Sequence, residues 1–188
     1  MKKKIVTITA GHSDGKDKGA VTTKDGVLIT ESDIAVKFRN ALASYFHKHT
    51  DVHVRVDGYG KTNLPLNEAI KLIKGSDIAL EIHTNSFSNA SANGVECIGL
   101  ARHKELCQKL SKAISEVFGS RLRGDKGYIG QEDSARGKLA YVQNNGIIVE
   151  LFFLSNKQEL QAFEEKYWLA AKAMYLVLCE YLGITPIN

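Results

Sequence analysis

The sequence predicts an α/β fold: a single three-layer domain with a twisted, mostly parallel central sheet and helices on both faces. Short β-branched or apolar runs recur along the chain, and stretches with apolar residues at helical spacing separate them. No internal repeat, low-complexity tract or Pro/Ser linker breaks that alternation, which is the pattern of strands feeding helices that cover a sheet. At 188 residues the chain suits one compact unit, residues 1–188, with a substantial core.

Residues 4–10, Lys-Ile-Val-Thr-Ile-Thr-Ala, alternate and are β-branched, so they form a strand that delivers Gly11-His12 into a loop at its end. Residues 14–29 are rich in Gly, Lys and Asp and show no sustained period. Residues 32–48 place Ile34, Phe38, Leu42, Tyr45 and Phe46 at helical spacing, so Glu31 falls at or near a helix start. Val52-His53-Val54-Arg55-Val56 alternates as a strand, and residues 66–74 read as a short helix introduced by Pro65 and closed by Gly75. Residues 77–83 form a buried strand ending in His83, residues 95–100 a further strand, and residues 104–118 a helix carrying Leu106, Leu110, Ile114 and Val117. Residues 119–137 hold five glycines and mixed charges, the pattern of a long functional loop or a groove wall. Residues 146–151 make the last strong strand, and residues 158–182 a long amphipathic helix through Leu160, Phe163, Tyr167, Ala171, Met174 and Leu178.

With 44% apolar and 24% charged residues, the composition is that of a globular protein and excludes disordered and fibrous classes. A net charge of +4, with lysines spread along the chain, gives nucleic-acid binding little support, although a mildly basic protein is drawn to anionic polymers. Cys97, Cys107 and Cys179 are odd in number and lack C-x-x-C spacing, so they read as thiols of a reducing compartment. Lys2-Lys3-Lys4 is followed by too short an apolar run for an export signal, and no run of about 18 apolar residues offers a membrane span. The expected product is made in the cytoplasm without a signal peptide.

In a parallel sheet, ligands gather beyond the carboxyl ends of the strands. His12, His83 and Glu150 fall there, and a carboxylate inside Ile147-Ile148-Val149-Glu150-Leu151 needs a partner or a function. Two histidines and one carboxylate, with a position left for water, form a catalytic zinc set, and a second carboxylate then accepts the water's proton. Glu31 and Glu150 fit those two roles.

Four motifs now resemble, in order and through nearly the whole chain, the zinc-dependent N-acetylmuramoyl-L-alanine amidases of bacterial and phage cell-wall lysis. They are Ile8-Thr9-Ala10-Gly11-His12 with Gly19-Ala20, Glu31 before its helix, Ile82-His83-Thr84-Asn85, and Val149-Glu150-Leu151-Phe152-Phe153-Leu154-Ser155-Asn156; Gly94-Val95-Glu96 resembles the family's next strand. The resemblance implies His12, Glu31 and His83 as Zn2+ ligands, Glu150 as the catalytic residue and Asn85 as a substrate contact. It implies hydrolysis of the amide between N-acetylmuramic acid and L-alanine in peptidoglycan. A monomer acting on the wall after release is expected, and the lack of an export signal and a wall-binding module fits a phage endolysin or the catalytic domain of a host autolysin alike. No separate wall-binding module is expected. The alternatives are a zinc peptidase cutting within the stem peptide and a non-catalytic wall-binding module.

The chain departs from the family pattern in three places. Ser13-Asp14-Gly15-Lys16-Asp17-Lys18 replaces the usual acidic and glycine crowding after the first Gly-His, Leu151-Phe152 replaces Thr-Gly, and Glu81 stands where a small serine is common. Strand alternation puts Glu81 on the face of His83, either orienting a ligand or salt-bridged near the sheet end. His47, His49, His53 and His103 read as solvated, and Cys97 as a buried structural thiol.

Overall fold

The computed structural model describes residues 3–13 and 17–187. Six strands form one sheet: β1 (Lys4–Ala10), β4 (Val52–Val56), β5 (Ile78–Asn85), β6 (Glu96–Gly99), β7 (Tyr128–Gly130) and β8 (Ile147–Phe153). Their order is β4-β1-β5-β8-β6-β7. The pairs β1/β4, β1/β5, β5/β8 and β6/β7 are parallel, and only β6/β8 is antiparallel. The mostly parallel α/β sheet is therefore as the sequence predicts.

The two faces are covered unequally, and this positions the site. On one side α1 (Glu31–Tyr45), α3 (Lys104–Phe118) and α5 (Lys157–Leu182) pack over the sheet. Ile8, Leu80, Ile82 and Val149 meet Phe38, Leu110, Ile114, Phe163 and Met174 there, all fully buried. Each such side chain contributes about 1.5–3 kcal/mol by leaving water. Among the described residues, the other side carries the short α2 (Leu66–Ala69), a 3-10 turn (Ile70–Ile73) and α4 (Ala140–Gln143), around a smaller cluster of Ile73, Ala79, Ile98, Tyr141, Val142 and Ile148. Because strand side chains alternate, the residues facing that thin layer include Glu81 and His83 on β5 and Glu150 on β8.

The helix starts are set by side-chain caps. Thr30 Oγ1 accepts from Asp33 N (3.1 Å) at the start of α1, satisfying one of the free N–H groups and fixing Glu31 as the first helical residue. Asn156 Oδ1 does the same for Gln158 N and Glu159 N at the start of α5. Pro65 precedes the first turn of α2, which passes into the 3-10 turn at Ile70.

The sequence misses the short strand β7, which lies inside the stretch read as a loop or groove wall, the one-turn helix α4, and one hairpin. Within the stretch read as aperiodic, β2 (Val21–Lys24) and β3 (Val27–Thr30) form an antiparallel hairpin. Asp25 and Gly26 at its tip both have positive φ, 50° and 78°, as a two-residue turn of that hand requires, so the Asp-Gly dipeptide was the available signal. The departure at Asp14, Gly15 and Lys16 lies outside the described residues. Among the described residues no helix is long and apolar enough to cross a membrane.

Candidate functional site

His12 follows β1 in the left-handed region, with φ 67°, a conformation that costs a non-glycine residue on the order of 1 kcal/mol. The surroundings hold it there: Asn63 Nδ2 donates to Ala10 O (3.1 Å) and His12 O (2.8 Å), and Ala10 N donates to the buried Asp57 carboxylate. Asp57 is in turn paired with the fully buried Arg39 of α1 at 2.7 Å.

Glu31 sits between two imidazoles. Its Oε2 lies 3.1 Å from His12 Nε2 and accepts from Ala20 N (2.9 Å); its Oε1 lies 3.0 Å from His83 Nδ1 and accepts from Thr84 N (3.0 Å). Burial opposes its ionisation, but His12 and His83 outweigh that and hold the carboxyl well below the usual range. Burial likewise lowers both imidazoles, yet Glu31 carries each above its ordinary 6.5, helped by Asp17 at His12 and by Glu81 at His83.

Two glycines of the first motif are required by close approach. A Cβ on Gly11 would stand 2.1 Å from the His83 ring, and one on Gly19 2.5 Å from the His12 ring and 2.6 Å from Glu31 Oε2. Only glycine lets the backbone lie against these rings.

Glu150 is the register partner of His83 on β8, and the pairing shifts between His83 and Asn85, a bulge that re-aims side chains at the strand end. Its Oε2 is buried without a hydrogen-bond partner. Burial raises the carboxyl to about 7 against the opposing pull of His83, with Glu31 and Glu96 adding to the rise. Asn85 Nδ2 donates to Glu96 Oε1 (2.9 Å), so its amide is engaged within the site.

These residues line a cleft of about 1380 Å³ along the thinly covered face. Arg121, Arg123, Asp133 and Arg136 from residues 119–137 form part of its wall, together with Phe87 and Leu66. The expected groove wall is therefore present. Small-molecule pockets span roughly 300–1,000 Å³, so the size suits an extended substrate.

The sequence reading overlooked Glu96, Arg123 and Asp17. Glu96 was visible as a carboxylate in an apolar strand, but its link to Arg123 is not local. His49 and His103 are corrections: both are buried, His49 because its Nε2 meets the Tyr175 hydroxyl at 2.7 Å and His103 because its side chain packs against Gly99 of β6. His47 and His53 are exposed and Cys97 is fully buried, as expected.

The donor set suits a metal ion. One ligand atom from each of His12, Glu31 and His83 lies within 4.8 Å of the others, and no other such group occurs among the described residues. Each ring also turns its second nitrogen toward another carboxylate, His12 Nδ1 to Asp17 Oδ2 at 3.0 Å and His83 Nε2 to Glu81 Oε2 at 3.1 Å, as metal-ligating imidazoles do.

A mostly parallel sheet with titratable groups gathered where β1, β5 and β8 end, inside a long polar cleft, defines a hydrolase of the α/β class. The chain belongs to the N-acetylmuramoyl-L-alanine amidase family, whose model matches residues 6–180. A Neisseria meningitidis protein assigned as such an amidase is 38% identical, with a TM-score of 0.87 and 98% of each chain covered. An amidase from Clostridium difficile 630 shares the fold at 24% identity and a TM-score of 0.81, covering 97% of this chain and 98% of its own. So does the catalytic domain of CwlV from Paenibacillus polymyxa, at 22% and 0.77, covering 97% and 99%. Among curated proteins none matches the chain in sequence. The family's activity is hydrolysis of peptidoglycan at the amide of N-acetylmuramoyl-L-alanine.

Proposed function

We propose that this amidase is zinc-dependent, with His12, Glu31 and His83 as ligands and Glu150 as proton carrier. The supporting observation is the convergence of those three donors beside a buried Glu150 oxygen that has no partner. When bound, zinc supplies Lewis-acid polarisation of a carbonyl and activation of water for attack. Glu150 takes the proton of the attacking water and delivers it to the leaving L-alanine amine, a transfer suited to a carboxyl raised to about 7. Against the cost of burial, His12 and His83 keep the Glu31 carboxylate ionised, and the Ala20 and Thr84 backbone N–H donors fix it in place. Asn85, on the cleft wall, is the candidate substrate contact.

Mass analysis of muropeptides after digestion of purified sacculi tests this. Free stem peptides beginning with L-alanine should appear without new reducing sugar ends, stop on chelation and return with zinc. Peptides cleaved with L-alanine still on muramic acid would instead indicate a peptidase, and full activity in metal-free protein would remove zinc from the reading. The lytic role of a monomeric phage endolysin, made in the cytoplasm and acting on the wall after release, is a separate part of the proposal. Its test is loss of turbidity of outer-membrane-permeabilised cells, with no loss for the Glu150→Gln variant.

A further inference from the structure

The geometry points to Glu81 as a positioning residue for His83, holding the imidazole as the tautomer with its proton on Nε2 and its lone pair on Nδ1, toward Glu31. This rests on the zinc reading of the same site.

Glu81 and His83 are two residues apart on β5 and so share a face of the sheet. Glu81 is register partner to Thr9 of β1, well inside the sheet, and is 4% exposed. A buried carboxylate there is costly unless a donor reaches it. The neighbouring hydroxyls are directed elsewhere: Thr9 Oγ1 donates to Tyr141 Oη (3.0 Å), and Tyr141 Oη donates to Leu80 O (3.1 Å). His83 Nε2, at 3.1 Å from Glu81 Oε2, is the donor that remains.

A neutral imidazole carries one N–H, so donation from Nε2 leaves Nδ1 with its lone pair. That lone pair is what a metal at the Glu31 side needs. The ring lies against Gly11, where even a Cβ would come within 2.5 Å of three ring atoms, so it has little freedom to reorient. His12 differs: its outer carboxylate, Asp17, is 63% exposed, and Nδ1 makes no well-aligned hydrogen bond despite the 3.0 Å separation. The sheet therefore orients one ligand rigidly while a loop orients the other. A serine at this position would have no charge to offer, whereas Glu81 supplies a full carboxylate.

The test uses the full chain, stripped of metal, with Glu81→Ala and Glu81→Gln. Zinc affinity is measured by competition with a chromophoric chelator, and the His83 tautomer by ring 15N shifts of the metal-free protein, followed to alkaline pH where the ring is neutral. Glu81→Ala should bind zinc about 10–100-fold more weakly and show a mixture of His83 tautomers. Glu81→Gln, whose amide oxygen still accepts from Nε2–H, should keep the tautomer and recover most of the affinity. Unchanged affinity and an unchanged ring in Glu81→Ala overturn the inference, as does a Gln variant as weak as Ala. If Glu81→Ala does not fold, the isosteric Gln variant and the wild-type tautomer decide it. A wild-type chain that binds no zinc removes the metal reading, while its His83 tautomer still tells whether Glu81 fixes the ring.

Discussion

Glu150 stands directly opposite Glu96 in the antiparallel pairing of β8 with β6. Only Glu96 is given partners, the Arg123 guanidinium on one oxygen and Asn85 Nδ2 on the other. Arg123 also lies over the Phe153 ring at 4.8 Å, a cation–π contact. The two carboxylates therefore have separate roles: Glu96 is anchored, and Glu150 is left free to exchange a proton.

Replacing Glu150 by Gln should leave fold and metal content intact and lower turnover by about 10²–10⁴-fold, because an amide cannot accept the proton. Arg123→Ala should act differently. It strands Glu96 in a buried position, costing about 1–3 kcal/mol in stability, and adds an uncompensated negative charge beside Glu150. Steady-state turnover on sacculi, zinc content and urea midpoints distinguish the two. Loss of zinc in Glu150→Gln would place Glu150 among the ligands.

Behind His12, Asp57→Ala should be costly in stability. Arg39 and Asp57 are both 0% exposed, and removing one member of such a pair leaves a buried charge, at about 3–5 kcal/mol. Ala10 N loses its acceptor as well, so the Gly11-His12 turn loosens. Zinc affinity should fall in the same variant. An apolar pair, Arg39→Met with Asp57→Leu, should recover stability without recovering the affinity; denaturation curves and metal titration on both variants separate the two effects.

The parts of this site legible in the sequence are those written in local pattern. His12 follows the end of β1, His83 lies in the C-terminal half of β5 and Glu150 in the middle of β8, strands whose patterns are plain, and Glu31 stands just after the Thr30 cap of an obvious helix. Burial of polar residues through distant partners was not legible. His49 is buried by Tyr175, 126 residues away, and Arg39 by Asp57 across the β1 end. Nothing in the neighbourhood of either residue encodes that pairing. The β2–β3 hairpin was missed for another reason: Val21, Val27 and Leu28 are exposed, so no buried face imposed a period-two pattern.

His103 should make stability fall in mild acid. Its ring is buried with Nδ1 unpartnered, and burial, with Arg102 adding, lowers its affinity for a proton below the ordinary 6.5. As pH falls, the unfolded ring takes up its proton first, so the unfolded state is favoured. The stability is full above 6.5 and lost as pH drops toward the lower folded value. His103→Gln should flatten that limb, so urea midpoints of the two proteins should converge on acidification. Parallel curves would show that His103 does not titrate with unfolding.

Zinc affinity should rise with pH, for a reason visible in the metal-free geometry. Burial lowers the proton affinity of His12 and His83, but Glu31 between them, with Asp17 and Glu81 behind, raises both above 6.5. Two consequences of opposite sign follow. The stability that these protonated rings lend to the metal-free fold is complete below 6.5 and is lost as pH rises through the raised folded values. A metal, however, needs the lone pairs that those protons occupy, so its binding strengthens over the same interval and releases protons. The metal-free protein should thus lose melting temperature as pH rises above 6.5 through the raised folded values, while the increment from a fixed zinc excess grows, reaching about 2.7 kcal/mol where zinc stands at a hundredfold excess over Kd. Calorimetric titration in two buffers of different ionisation enthalpy should show proton release on binding. A zinc increment independent of pH, with no protons released, would mean that neither histidine is a ligand, and the chemistry would then need a different home in the cleft.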